Sequence, residues 1–287
     1  MCFSRKILLP LWVLLLMGFA GDLPTPAQAA VSLPRQNLSR FTTAQWNAAF
    51  ELIAGLPLPQ RIACWADLAA VDSVYAADPL GEGPDNPPDT DPLCDFTHVD
   101  CVTYLEQVCA LAFSPNYAAF PDTLRQIRYR DGQVDYRRRN HYFVSDWLPA
   151  NARLVRDITD EVGAGHLRAM TKTIARGKFF AGKGLPQYAD LPDEEATTNY
   201  IPRGDVKAVA GKLQTGDLII FVIDTPGIIA GHTGLIRMRN GVPCLQHASL
   251  TAKAVVTVPL AEYLRAAPAR FLGFKIARPY EAAPAKP

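Results

Sequence analysis

Asp100-Cys101-Val102-Thr103 sets a cysteine at the start of a strongly patterned run. Cys101, Leu105, Val108, Cys109 and Ala112 recur at helical spacing and make one buried stripe. A helix N-terminus offers unpaired N–H groups and partial positive charge, which favour thiolate over thiol. The thiolate is the nucleophilic form, so Cys101 is placed for covalent attack on a carbonyl. Such an attack needs a base, and Gly231-His232-Thr233-Gly234 supplies an imidazole at the opening of a strand. That imidazole in turn needs an orienting partner on its second nitrogen. His247 lies across Asn240-Gly241, a hairpin turn signal. Residues 232 and 247 fall within a couple of positions of a cross-strand pair, so the two rings can be neighbours.

The elements that position these residues follow from pattern. Thr42 to Leu56 and Pro59 to Ala70 read as two short helices, and the Cys101 helix runs to Phe113, where Ser114-Pro115 stops it. Pro121 sits where a first helical turn tolerates proline, and Gly132 ends that element. Asp78 to Pro92 is rich in proline and glycine, carries five acids and no base, and reads as a solvated loop. Strands are predicted at 217–223, 232–238, 242–248, 254–258 and 273–277, with 278–287 as a frayed tail. Helices first and an antiparallel sheet afterwards indicate an α+β fold. No repeat or second domain boundary is evident, and the mixed stretch within 113–210 reads as a helical insertion.

Of 287 residues, 49% are hydrophobic and 20% charged, with 29 basic against 28 acidic side chains, which describes a globular chain with a sizeable core. The near-zero net charge gives no broad basic field, so nucleic acid is not an expected partner. Arg5 and Lys6 precede an apolar run from Ile7 to Ala20, and Ala27-Gln28-Ala29 offers a small-x-small cleavage pattern. Residues 1–29 are therefore expected to be a signal peptide, with the mature protein periplasmic or secreted and not stably inserted in a membrane. Five cysteines remain beyond it: Cys64, Cys94, Cys101, Cys109 and Cys244. An oxidising compartment favours pairing, and any four allow three connectivities. Burial as reduced core residues is the alternative.

The order Asp-Cys-x-Thr, Gly216-Asp217-Leu218-Ile219, Gly-His-Thr-Gly-Leu-Ile and His-Ala-Ser resembles the NlpC-like, papain-related cell-wall peptidases. More narrowly, it resembles their N-acetylmuramoyl-L-alanine amidase-like branch, through Asp100 to Glu106, Arg139-Asn140-His141-Tyr142-Phe143, Asp146-Trp147 and Tyr200-Ile201-Pro202. The resemblance spans roughly Cys64 to Arg278. It implies a papain-like core with an N-terminal group of helices, a nucleophile helix packed on an antiparallel sheet, Cys101 as nucleophile, His232 as base and His247 as third polar residue. It also implies a peptidoglycan substrate, cut between N-acetylmuramic acid and L-alanine or within the stem. Tyr75 occupies the place of a tyrosine that binds substrate or completes the oxyanion site, although Ser73-Val74 replaces the usual Thr-Pro before it. Asn140, His141, Tyr142 and Trp147 are candidates for the substrate wall, since aromatic rings stack on sugars and asparagine bonds amides.

This chemistry needs no metal or cofactor, and a monomer is expected. His98 reads as loop surface and His166 has no evident role. The Arg137-Arg138-Arg139 run is solvated or faces stem carboxylates. Rival readings are a zinc amidase, a stem-peptide endopeptidase, a lipid or thiol acyltransferase, and a non-catalytic murein-binding protein. No His-Glu-x-x-His or Cys-x-x-Cys spacing supports the zinc reading.

Overall fold

The computed structural model describes residues 33–188 and 190–281. The expected signal peptide, and the tail from 282, lie outside them. Helix α1 spans Thr43–Ala54 and is opened by a reciprocal cap, in which the Thr42 hydroxyl accepts the Gln45 N–H while the Gln45 side chain accepts that of Thr42. Helix α2, Leu58–Ala69, follows after one turn. Strands β1 (Val74–Tyr75) and β2 (His98–Val99) pair in parallel and flank the acidic loop. Helix α3, Cys101–Phe113, and helix α4, Phe120–Arg128, complete the helical part.

The acidic loop is not simply solvated, as its composition suggests. Leu80 and Glu82 are buried, and Arg139 donates to Glu82 at 2.8 Å and to Asp89 at 2.9 Å. Arg139 is itself largely buried over the Tyr136 ring, so the acids close around a cation supplied fifty residues later. One member of the Arg137–Arg139 run is thus structural.

The 113–210 stretch is mixed rather than helical. It holds α4, but also β3 (Val155–Asp157), β4 (Arg168–Ile174), helix α5 (Arg176–Gly182) and β5 (Glu194–Pro202). β4 and β5 pair antiparallel over their full facing length, with Thr171 and Thr197 hydroxyls 2.8 Å apart. Their faces are mostly exposed, so no alternation of apolar residues marks them.

The last third forms the centre of the sheet: β6 (Leu218–Thr225), β7 (Ile228–Arg239), β8 (Val242–Ser249), β9 (Ala254–Pro259), helix α6 (Leu260–Ala266) and β10 (Phe271–Pro279). Strand order is β2-β1-β9-β8-β7-β6-β10-β5-β4, with β3 also on β10. Apart from β1–β2, the pairings are antiparallel. The final strand extends beyond its predicted end, and Tyr280 and Glu281 still bond to Ala152 and Arg61. Asn240 and Gly241 both have positive φ, which gives the β7–β8 turn the twist that a two-residue hairpin needs.

β6 is buried on both faces, which explains its unbroken apolar run. Leu218 and Ile220 face α1 to α4, whereas Ile219, Phe221 and Ile223 face a second core with Leu260 and Leu264 of α6. Among the described residues no helix is long and apolar enough to cross a membrane.

Candidate active site

α3 begins at Cys101 because Asp100 caps it. The Asp100 carboxylate accepts the N–H groups of Val102 at 2.9 Å and Thr103 at 2.7 Å, and the Thr103 hydroxyl accepts the Asp100 N–H. The stripe predicted from spacing is buried along the helix, with Leu105, Val108, Cys109 and Ala112 in the core. Cys101 itself is only partly buried and lines a cavity of about 170 Å³.

His232 lines the same cavity. Phe221 pairs with His232 and Val222 with Ala230, so Gly231 is the extra residue of a β-bulge directly before the histidine. Such a bulge re-aims the following side chain. On β8, His247 stands diagonally from His232, since the register that pairs Leu235 with Gln246 sets Gly234 opposite His247. The rings meet: His232 Nε2 lies 2.7 Å from His247 Nδ1, with the ring planes at 82°. Gly234 makes this possible. A Cβ there would fall 3.0 Å from His247 Cβ and 2.8 Å from the Gln246 carbonyl oxygen. Gly234→Ala is therefore expected to cost about 1–3 kcal/mol of stability by overpacking and to disturb the histidine contact. Urea unfolding together with an activity assay checks both.

With Nε2 of His232 occupied by His247, Nδ1 remains for proton exchange. Burial, and next His247, lower the His232 pKa to about 3. Burial lowers His247 to about 4, against a backbone hydrogen bond at Ala248. The sequence suggested a helix terminus favouring thiolate. In the structure burial pushes the Cys101 thiol up to about 12, the Asp100 carboxylate adds to it, and the N–H groups of Thr233, Cys101 and Val102 pull only partly back. These directions favour the neutral thiol and the neutral imidazole, two groups that line one cavity.

The other candidates divide. Tyr75 lies beside the helix start, where burial and then the neighbouring Cys101 and Asp100 raise its phenol pKa. It lines a second cavity that shares Val102, Asn140, His141 and Phe179 with the first. Asn140 lines both, but its amide N–H₂ donates to the Ile127 carbonyl at 3.1 Å. His141 lines both as well, held by a 2.7 Å contact from Nε2 to the Tyr136 carbonyl. Tyr142 lines the first cavity, with Arg176 over its ring. Trp147 must be withdrawn from the wall. It is fully buried, stacks on Phe143 and donates its indole N–H to Glu106 at 3.1 Å. The turn that carries it, Phe143–Trp147, is a π-helix, and it swings Trp147 inward while Phe143, Val144 and Ser145 face the cavity.

Pattern reading overlooked Phe179 of α5, Ile228 to Ala230 before the histidine, and the Thr233 N–H, all of them at or around the thiol cavity. An apolar residue in a mixed stretch carries no signal of lining a site. His98 is exposed and bonded to Asp95 at 2.8 Å, and His166 lies 3.6 Å from Asp205. Cys94, Cys101, Cys109 and Cys244 carry free thiols, and Cys64 is buried on α2. Among the described residues no three His, Cys, Asp or Glu side chains converge as a metal-binding group.

No curated protein matches the sequence. A Legionella pneumophila protein of the DUF1460 family has a TM-score of 0.76 at 20% identity, over 84% of this chain and 95% of that one, a likeness of fold. An N-acetylmuramoyl-L-alanine amidase from Bacteroides uniformis has a TM-score of 0.65 at 25% identity, over 78% and 99%. A family model described as N-acetylmuramoyl-L-alanine amidase-like matches residues 69–273, which include α3, the bulged β7 strand and the hairpin that joins the histidines. The chain belongs to the N-acetylmuramoyl-L-alanine amidase-like family.

Proposed function

We propose that this protein is an exported peptidoglycan hydrolase with a papain-like, NlpC-type core, which cuts the amide between N-acetylmuramic acid and L-alanine through a Cys101 thioester. The observation that carries this reading is the 2.7 Å contact between His232 and His247, with His232 sharing one cavity with Cys101. The choice of bond rests on the family and on the Bacteroides relative. The choice of compartment rests on the cleavage pattern in residues 1–29.

The Cys101 proton passes to Nδ1 of His232 as Sγ bonds to the lactyl carbonyl carbon. His232 Nε2–H donates to His247 Nδ1, which fixes the tautomer. The oxyanion is met by the Cys101 N–H and, in this reading, the Tyr75 hydroxyl, since Asp100 already occupies the next two N–H groups. Imidazolium His232 then protonates the leaving amine of L-alanine as the C–N bond breaks. Water, deprotonated by the same ring, hydrolyses the thioester and restores the thiol.

Mass spectrometry of soluble products from purified sacculi tests the proposal. Free stem peptides from the wild type, none from Cys101→Ala and no effect of a chelator are expected. Cut stems still bearing sugar would make the protein an endopeptidase, and an active Cys101→Ala variant would remove the nucleophile.

The depressed histidine pKa values set the pH dependence. A neutral His232 is required, so the acid limb of kcat/KM should lie well below the ordinary 6.5. An acid limb at 6.5 or above would contradict a neutral resting pair. His141 is likewise lowered to about 4 by burial. All three fold with pKa values below those of the unfolded chain, so stability is full above about pH 6.5 and is lost as pH falls towards 4. Each contributes up to about 1.4 kcal/mol per unit, readable by urea unfolding from pH 7 to 5.

A further inference from the structure

The proposed chemistry uses two imidazoles, a thiol and the Tyr75 hydroxyl, and a further residue touches the histidine pair. Tyr263 sits on α6, where Leu260 and Leu264 anchor the helix in the second core. At three positions after Leu260, Tyr263 shares that face. Its ring centroid lies 6.0 Å from His232, nearly parallel, 5.1 Å from His247, edge to face, and 4.9 Å from Phe221. Phe221 in turn lies 5.6 Å from His232. One phenol ring therefore contacts both members of the histidine hydrogen bond.

We propose that Tyr263 is a positioning residue whose ring holds His232 and His247 in the mutual orientation of their hydrogen bond and keeps water from it. This rests on the proposed roles of the two histidines. A histidine on a strand has two side-chain torsions to fix, and a solvated imidazole pair exchanges its mutual bond for bonds to water. Packing against a large, rigid ring removes both freedoms. Of the titratable groups, Tyr263 touches both rings and Cys101 lines the cavity that His232 lines, while β6 presents the uncharged Phe221. Burial, and then the nearby Cys101, raise the Tyr263 phenol pKa, with Arg270 opposing. The phenol therefore stays protonated, and adds no negative charge beside the thiol.

The test compares Tyr263→Phe and Tyr263→Leu with the wild type, with Tyr263→Met as replacement should the leucine variant fail to fold by circular dichroism. Imidazole pKa values come from NMR titration without substrate, and kcat and KM from stem release. Tyr263→Phe should match the wild type in every readout. Tyr263→Leu should raise both imidazole pKa values by about a unit or more towards 6.5, and lower kcat by about 10-fold or more with KM within about 2-fold. A folded leucine variant with wild-type titrations or wild-type kcat overturns the proposal. A phenylalanine variant as impaired as the leucine variant also overturns it, because the hydroxyl would then be the acting group. Failure of the cysteine mechanism appears separately, as activity in Cys101→Ala. The substrate-free titrations judge Tyr263 in either case.

Discussion

Cys101→Ala is expected to lower stem-peptide release from sacculi by at least about 10³-fold, since removal of a covalent nucleophile leaves only binding and oxyanion stabilisation. Cys101 is only partly buried as a residue, and alanine keeps its Cβ at the helix start, so the melting temperature should shift little. This separates chemistry from folding. His232→Ala should approach the same loss, because a thiol raised to about 12 has almost no thiolate at neutral pH without a base. For the same reason iodoacetamide should alkylate the resting thiol slowly at pH 7. Rapid alkylation in the wild type that disappears in His232→Ala would indicate a resting ion pair, and would contradict the neutral pair described above. His247→Ala should cost less, because His232 keeps its own proton-accepting nitrogen and loses only orientation.

The second large effect lies behind α3. Glu106 of α3 and Arg128 of α4 form a 2.7 Å ion pair with both side chains about 3% exposed. Trp147 donates to the other Glu106 oxygen, and Arg128 also donates to the Leu93 carbonyl at 2.6 Å. The pair thus ties α3, α4, the π-helical turn and the chain leading into α3. Arg128→Met leaves a buried carboxylate held by a single indole N–H, and should destabilise the protein by about 3–5 kcal/mol. Glu106→Gln keeps a neutral partner for the indole but strands the guanidinium, and should cost a similar amount. The double replacement Glu106→Leu with Arg128→Met removes both charges, so its cost should be well below the sum of the single losses. Urea unfolding of the wild type, Glu106→Leu, Arg128→Met and their double variant gives the coupling directly. An additive double variant would show that the two charges do not depend on each other.

Helix α3 was legible because its cause is local. The apolar spacing of Leu105, Val108, Cys109 and Ala112, and Ser114-Pro115 beyond them, sit within a few turns of chain. The β7–β8 hairpin was legible for the same reason, since Asn240-Gly241 accepts positive φ and fixes the register, and with it the approach of residues 232 and 247. β4 and β5 were not legible. Their side chains are largely exposed, and pairing with each other and with β10 decides their conformation rather than an apolar period.

Trp147 shows the limit for function. A tryptophan near an asparagine and a histidine reads equally well as a sugar platform or as core, and only the π-helical turn and the Glu106 acceptor decide for core. Tyr263 shows the converse, an unremarkable position in sequence that the packing of α6 brings against both histidines. Thiol protonation also depends on tertiary structure. Local sequence places Cys101 at a helix terminus, but burial and the Asp100 carboxylate outweigh the terminus even with the Thr233 N–H added on its side. Residue type and spacing thus determined which groups meet, because helices and hairpins are short-range objects. Their charge states and their walls were decided by the fold, because desolvation depends on every element packed around them.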